Sequence, residues 1–181
     1  MANKAGLNPD IVVVDSKDNF VRLEKKIKCH LEGIRHRAFS VILFDKKGRM
    51  LIHKRSRKKM LWALYWTGAC CSHPRHGENF EAAAERRLFE EAGIKGCKPK
   101  FHFKFNYKAR FRDIGWENEV CAVLTATYSQ LPKTNPEEVE EWKFIEPKEL
   151  LADIKRTPGK YTPWFKKEIR LLMGKDIIKP K

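Results

Sequence analysis

Two short segments of this 181-residue chain carry side chains that could move a proton or bind a metal ion. In WTGACCSHP (66–74), Cys71 and His73 are two residues apart, so on an extended backbone their side chains share one face. In WENEVC (116–121), Glu117 and Glu119 have the same spacing. Thiol, imidazole and carboxylate groups transfer protons, and the last two also bind divalent ions. The spacing predicts two strands that each present a pair of reactive groups.

Two more histidines, His30 and His36, precede the apolar segment AFSVILF (38–44). Each histidine taken alone is more simply explained as a packed or solvated side chain. Together with His73 and the two glutamates, however, they provide a nitrogen and oxygen donor set for an ion with about five or six ligands. The adjacent Cys70 should point away from this group, into the core, and be unreactive.

The strands expected to carry these groups follow from apolar runs and from alternation. They are predicted at 10–15, 38–44, 49–55, 101–111 and 117–129. The turn DKKG (45–48) predicts a hairpin between the second and third strands, and a turn around Asp113 and Gly115 predicts another between the last two.

Two helices are predicted beside these strands. The first covers NFEAAAERRLFEEAG, with Asn79 as its N-cap and Gly93 as its stop. The second begins at Thr162-Pro163, with Thr162 as its cap, and runs through Met173 to Gly174. This order of elements predicts one α/β (α+β) domain over residues 1–181, a mixed sheet flanked by helices. Residues 1–9 and 175–181 are expected to be loosely held.

Composition excludes several classes of protein. No apolar run approaches the about 20 residues of a membrane span, the first residues lack a hydrophobic signal segment, and five cysteines form no framework of pairs. A cytoplasmic protein without a membrane partner is therefore expected. The net charge of +15 favours anionic ligands, but the lysines are spread along the chain, so nucleic-acid binding is not expected from charge alone.

The first helix contains a pattern that resembles a Nudix box. Glu78 is followed, after seven residues, by RRLFEEAGI (86–94). The family pattern is Gly, five residues, Glu, seven residues, then Arg-Glu-aliphatic-x-Glu-Glu-x-Gly-aliphatic, so Ser72 and Arg87 are departures. Arg87 replaces a metal-binding glutamate with a guanidinium group suited to phosphate oxygens. Such a site should bind a diphosphate better than it hydrolyses one.

Four segments in order resemble the type I isopentenyl diphosphate isomerase family: CH…HRAFS (29–40), CCSHP (70–74), the altered Nudix box and WENEVC (116–121). The resemblance covers nearly the whole chain and implies a Nudix-type sandwich. It implies interconversion of isopentenyl and dimethylallyl diphosphate, in which the double bond is protonated and a proton is then removed from the other side.

The resemblance also implies roles for individual residues. Cys71 and Glu119 match the acid–base pair, Tyr107 the tyrosine that supports the glutamate, and Trp164 the tryptophan that stabilises the cation. A divalent ion (Zn²⁺, Mn²⁺ or Mg²⁺) would be held by His30, His36, His73, Glu117 and Glu119. A second ion, Mg²⁺, would join the diphosphate to Glu91 and to the backbone carbonyl of Cys71.

The phosphate-binding positions of the family match Arg55, Lys59, Arg87 and one lysine of LEKKIKCH. Counting forward from LEK gives Lys25, whereas counting back from the histidine gives Lys26, which we prefer. The expected ligand is a small allylic or homoallylic diphosphate, and the expected state is a monomer.

Two other functions are compatible with parts of the pattern. The first is a Nudix pyrophosphohydrolase acting on a nucleotide or an RNA cap, which the basic charge would favour. The second is a metal-stabilised nucleic-acid-binding module, which leaves WENEVC and Trp164 unexplained. Arg87 and the Cys71–Glu119 pair favour the isomerase.

Overall fold

A computed structural model describes residues 9–178, and the nine strands in that range form one mixed sheet flanked by helices. The strands are β1 (Asp10–Val14), β2 (Phe20–Lys25), β3 (His36–Phe44), β4 (Met50–Arg55), β5 (Trp66–Thr67), β6 (Cys70–Ser72), β7 (Lys100–Phe111), β8 (Gly115–Thr127) and β9 (Val139–Ile145). The helices are α1 (Lys26–Glu32), α2 (Phe80–Ala92), α3 (Pro147–Arg156) and α4 (Pro163–Gly174). The predicted fold class is confirmed.

Strand β3 organises the sheet because it pairs along both of its edges. On one edge β8 runs parallel to it, with His36 opposite Glu119. On the other edge the short strand β6 runs antiparallel, with Ser40 opposite Cys71. Strand β7 pairs with β8 and places Tyr107 opposite Glu119. Because directly paired residues point to the same face of a sheet, all these side chains project from one face.

Alternation along β3 separates two hydrophobic cores. Phe39 and Val41 point to one face, where they pack with Leu88 of α2. Ile42 points to the other face, where it packs with Phe165 of α4. The sheet is therefore covered by α2 on one side and by α4 on the other, and the reactive side chains lie on the α4 side.

The ends of α2 agree with the sequence signals. The Asn79 side chain accepts a hydrogen bond from the backbone N–H of Ala82 at 2.8 Å, and Gly93 follows the helix with a φ of 65°. A Cβ atom at Gly93 would lie 2.9 Å from the carbonyl oxygen of Lys133. Thr162 is confirmed as the N-cap residue of α4, followed by Pro163 in the first turn, but its hydroxyl donates to Thr67 Oγ1 at 3.2 Å instead of accepting a hydrogen bond from the helix backbone.

Four elements lie where no element was predicted: β2, α1, β9 and α3. Both faces of β2 are largely exposed, so its sequence carries no clear alternation. The hairpin predicted between β3 and β4 is reduced to two residue pairs, because β4 pairs over its whole length with β9. Sequence periodicity shows that a strand exists but does not identify a partner far along the chain.

The expectation of loose termini falls partly on residues 1–8 and 179–181, which lie outside the described residues. Within residues 175–178, Ile178 is buried and the backbone N–H of Ile177 donates to the carbonyl of Leu172 at 3.0 Å. Across residues 9–178, no helix combines the length and the apolar character that a membrane crossing requires.

Gly115 allows α1 to approach β8 and so positions His30 near the glutamates of β8. A Cβ atom at Gly115 would lie 2.8 Å from the His30 carbonyl oxygen. We expect Gly115→Ala to lower the free energy of unfolding by about 1–3 kcal/mol, because the backbones must separate. Urea denaturation measures this change. Gly159→Ala is the control, since nothing lies within 4 Å of its Cβ position, and an equal loss in both variants would contradict the argument.

Candidate active site

One cavity of about 750 Å³ brings together most of the predicted site residues, and its volume suits a small ligand. Its lining includes Lys26, His30, Arg55, Lys59, Cys71, His73, Arg87, Tyr107, Glu117, Glu119 and Trp164. His36 lies beneath the lining, fully buried, and Glu91 lies behind Arg87. A second hollow, of about 840 Å³, lies beside Phe44 and the ends of α3 and α4 and contains none of the predicted residues.

Three imidazoles and two carboxylates meet at one end of the cavity. The rings of His30, His36 and His73 have centroids 4.9–5.6 Å apart. His36 Nε2 and His73 Nε2 each lie 3.4 Å from Glu119 Oε1, and His30 Nδ1 lies 3.3 Å from Glu117 Oε2. All five predicted ligands of the first ion therefore form one cluster, called the His/Glu cluster below.

The donor atoms of the His/Glu cluster suit a divalent cation. His36 Nδ1 donates to the Ile34 carbonyl at 2.8 Å, which leaves Nε2 as a lone-pair donor directed at the carboxylates. His36 Nε2, His73 Nε2 and Glu117 Oε2 are buried without a hydrogen-bond partner in the described structure. Unsatisfied buried acceptors are unfavourable by about 1–3 kcal/mol each, and a shared cation would satisfy all three. The residues present therefore fit a metal ion.

Burial and neighbouring groups shift the pKa values of several side chains in and beside the His/Glu cluster. Burial raises the pKa of Glu119, but the neighbouring His36 and a hydrogen bond from Tyr107 outweigh it, so the pKa is lowered. Burial and the nearby Glu119 raise the pKa of Tyr107 well above its usual value, so its O–H donates to Glu119 Oε2. Burial, with Lys26 nearby, lowers the pKa of His73. Glu119 is thus ionised and His73 neutral.

Cys71 lies on the same face of the sheet and in the same cavity, on the strand that pairs with the opposite edge of β3. Its sulfur is 3.3 Å from Trp164 Nε1, 3.3 Å from Ser40 Oγ and 3.5 Å from Thr67 Oγ1. Burial raises the pKa of the Cys71 thiol to about 12, so it holds its proton at neutral pH. Cys70 is fully buried in the opposite core, as the alternation of the strand predicted.

Four cationic side chains line the same cavity: Lys26, Arg55, Lys59 and Arg87. Lys59 forms an ion pair with Glu138 Oε2, and Arg87 Nη2 lies 3.1 Å from Glu138 Oε1. Lys26 is half-buried in the cavity wall, and burial together with Lys59 lowers its pKa. Lys25, the other candidate, is paired with Asp10 at 2.9 Å and does not line the cavity.

Arg55 is a cationic side chain that contacts the aromatic wall of the cavity. Its Nε and Nη2 atoms donate to the carbonyls of Trp62 and Leu61 at 3.1 and 3.0 Å. Its guanidinium carbon lies 5.3 Å from the ring centre of Trp164, within cation–π range. Arg55 is therefore held rigidly by the 61–62 loop and still has N–H groups for a ligand.

Three carboxylates of the Nudix-like segment, those of Glu78, Glu90 and Glu91, are paired with its arginines. Arg87 donates to Glu90 and Glu91 at 2.7 Å each, and Arg86 donates to Glu78 at 2.7 Å. Glu91 is nearly fully buried and is not part of the His/Glu cluster. The guanidinium at position 87 thus lies between the helix carboxylates and the cavity.

Sequence reasoning missed four polar residues around the cavity: Ser40, Thr67, Glu138 and Glu168. Ser40 and Thr67 contact the Cys71 sulfur, and Glu138 joins Lys59 to Arg87. Glu168 could have been recognised in the sequence as a charged residue at an apolar position. It lies four residues after Trp164 on the apolar side of α4, where a hydrophobic residue would be expected. Glu138 could not have been recognised in this way, since it lies in a loop without a periodic pattern.

Comparison with known proteins agrees with this geometry. The NUDIX domain family matches residues 34–165. Isopentenyl-diphosphate Delta-isomerase 1 of Photorhabdus laumondii is 41% identical over 161 residues, which cover 88% of this chain and 92% of that protein. Isopentenyl-diphosphate Delta-isomerase of Halobacterium salinarum is 36% identical over 89% of this chain and 78% of its own length.

Among solved structures, DR0079 from Deinococcus radiodurans superposes with a TM-score of 0.73 and 19% identity, covering 90% of this chain and 98% of that one. At that identity the likeness establishes the fold alone. The fold, the cavity and the isomerase relatives point the same way: the chain belongs to the isopentenyl-diphosphate Delta-isomerase family of NUDIX-domain proteins.

Proposed function

We propose that the chain interconverts isopentenyl diphosphate and dimethylallyl diphosphate, using Cys71 and Glu119 as its acid–base pair. The observation that carries the proposal is the position of these two residues. They project into one cavity from β6 and β8, the strands that flank β3 on opposite edges. A flat alkene bound between them would have a proton-transfer group on each side.

The reaction needs such a pair because an alkene is a very weak base. Adding a proton to the terminal carbon gives a tertiary carbocation, and removing a proton from the neighbouring carbon on the chain gives the isomeric double bond. The thiol of Cys71 and the carboxylate of Glu119 hold one proton between them. Because isomerisation is reversible, each group serves as donor in one direction and as acceptor in the other.

The cation must be protected from water while it exists. Trp164 is only 3% exposed and lies against Tyr107 and Trp62, with ring centres 6.0 and 5.3 Å away. An aromatic face can stabilise a desolvated cation by about 2 kcal/mol. Trp164 also donates its indole N–H towards the Cys71 sulfur, which orients the ring and the thiol together.

The diphosphate is proposed to bind at Lys26, Arg55, Lys59 and Arg87. Glu138 lies between Lys59 and Arg87, so a phosphate group would replace a carboxylate that already bridges two cations. Arg87 suits this task because guanidinium binds oxyanions in a bidentate manner. The remote diphosphate would thereby anchor the alkene between Cys71 and Glu119.

The family and the donor set imply a divalent ion, and we propose Zn²⁺, Mn²⁺ or Mg²⁺ at the His/Glu cluster. The residues that would hold it are His30, His36, His73, Glu117 and Glu119. Such an ion supplies positive charge that stabilises the buried carboxylates and fixes their orientation. A second ion, Mg²⁺, is proposed to join the diphosphate to Glu91 and to the carbonyl of Cys71.

Hydrolysis of a diphosphate is the weaker alternative because Arg87 stands where the Nudix pattern has a metal-binding glutamate, so the helix offers one metal ligand fewer, and Arg87 also pairs with Glu90. Nucleic-acid binding has no support from the cavity, whose volume of about 750 Å³ suits a small ligand. The monomeric state and the cytoplasmic location remain predictions from the sequence.

Replacing each cysteine in turn tests the proposed acid–base pair. We expect Cys71→Ala to lower kcat for isomerisation by at least about 10²-fold, because it removes a proton-transfer group. Cys70→Ala, the matched control, should keep most of the activity, since Cys70 lies in the opposite core. Production of dimethylallyl diphosphate measures both. A dead Cys70 variant beside an active Cys71 variant would contradict the assignment.

Reversing the charge at position 87 tests the phosphate site. We expect Arg87→Glu to weaken binding of inorganic diphosphate by about tenfold or more, because a cation is replaced by an anion. Titration calorimetry measures the affinity. The control Arg57→Glu makes the same charge change at an exposed residue that pairs with Glu140. Equal affinities for wild type and Arg87→Glu would rule out this role.

Metal content tests the His/Glu cluster without any assay of turnover. We expect His73→Gln to lower the amount of divalent metal that stays bound after dialysis, because one buried ligand is lost. His76→Gln is the control, since His76 is exposed and contacts the Phe20 ring instead, with the ring centroids 4.9 Å apart. Elemental analysis measures the metal that each variant retains. Full metal content in His73→Gln would contradict the assignment of His73 as a metal ligand.

A further inference from the structure

Glu168 is a buried carboxyl group to which the proposed chemistry assigns no role. It lies on α4, one turn after Trp164, and is fully buried. Its nearest polar partners are the Ser40 hydroxyl, with Oγ 2.9 Å from Glu168 Oε2, and the Cys121 sulfur, 4.0 Å from Oε1. Neither partner is a cation that would neutralise the negative charge of an ionised Glu168. Burial raises the pKa of Glu168 to about 8, so the group is mainly protonated at neutral pH.

A continuous chain of polar atoms joins Glu168 to Cys71. Ser40 lies in the middle of β3, directly opposite Cys71, and is fully buried. Its Oγ atom is within reach of both Glu168 Oε2, at 2.9 Å, and Cys71 Sγ, at 3.3 Å. The carboxyl, the hydroxyl and the thiol therefore form one hydrogen-bonded series.

The single hydrogen of a serine hydroxyl couples the two ends of this series. When Ser40 donates to an ionised Glu168, its oxygen is available to accept the S–H of Cys71. When Glu168 is protonated and donates to Ser40, the hydroxyl hydrogen is free to point at the Cys71 sulfur. The direction of the hydrogen bond at the sulfur thus depends on which end carries the proton.

The other contacts of the Cys71 sulfur offer no such connection. Trp164 Nε1 is a donor only. Thr67 Oγ1 already accepts hydrogen bonds from Thr162 and from Trp164, at 3.2 Å each. Of the polar atoms that the described structure places around the sulfur, Ser40 alone leads to a carboxyl group.

We infer that Glu168, acting through the Ser40 hydroxyl, is a positioning residue that controls the proton at Cys71. The transfer conserves atoms and charge: a protonated Glu168 gives its proton to Ser40 Oγ while Ser40 gives its own to a Cys71 thiolate, and the reverse transfer returns the proton to Glu168. This inference rests on the proposed isomerase function.

Glu168→Gln tests the inference because glutamine keeps the shape and the hydrogen bonds of a neutral carboxyl but does not exchange a proton. We expect kcat to fall about tenfold or more without a matching change in KM, since Glu168 does not line the diphosphate end. Ser40→Ala should do the same, and the double variant should lose no more than the single ones. Ile169→Val, a change at the adjacent core position, controls for packing and should keep the wild-type kcat.

Infrared spectroscopy tests the hydrogen-bonded series without turnover. The S–H stretching band that disappears in Cys71→Ala should shift in both Ser40→Ala and Glu168→Gln, but not in Ile169→Val. An unmoved band, or a Glu168→Gln enzyme with the wild-type kcat, would overturn the inference. If the wild-type protein shows no isomerase activity, the proposed function fails, and the infrared bands still decide whether Glu168 acts on Cys71.

Discussion

The parallel pairing of β3 with β8 is the contact on which the rest of the site depends. Its register places His36 beside Glu119, and the antiparallel strand on the other edge of β3 places Cys71 beside Ser40. A shift of one residue in either pairing would turn the reactive side chains into the opposite core, because side chains alternate between faces. The apolar alternation that packs β3 between α2 and α4 therefore also fixes the geometry of the chemistry.

The cavity divides its charges between two tasks. Imidazoles and carboxylates meet at one end, where buried lone pairs have no hydrogen-bond partner in the described structure. The guanidinium of Arg87 and the ammonium of Lys59 meet elsewhere in the cavity, around Glu138. An ion would complete the first group and a diphosphate the second, while the alkene would lie against Trp164 between them.

Sequence reasoning predicted the parts of this arrangement that depend on local patterns. The bounds of α2, the strand β7 and its hairpin with β8 all follow from capping residues, period-two alternation and turn residues. The opposed directions of Cys70 and Cys71 follow from the same alternation. Grouping the distant histidines with the glutamates of β8 was a weaker inference from residue type, and the resemblance to a known family strengthened it.

What the sequence did not predict depends on contacts between distant segments. The long pairing of β4 with β9 and the Thr162–Thr67 hydrogen bond have no local signature. Glu138 enters the cavity from a loop, and its importance is visible only once Lys59 and Arg87 lie on either side of it. The sequence around Ser40 is that of an ordinary strand, and its contact with the Cys71 thiol depends on the pairing of β3 with β6.

One incubation tests the central claim most directly. Purified protein loaded with a divalent metal would be mixed with isopentenyl diphosphate and Mg²⁺, and both dimethylallyl diphosphate and free phosphate would be measured in the same tube. We expect dimethylallyl diphosphate with no release of phosphate, because Cys71 and Glu119 would transfer protons at the alkene while the cationic side chains hold the diphosphate without cleaving it. Release of phosphate, or the absence of any product from metal-loaded protein, would contradict it.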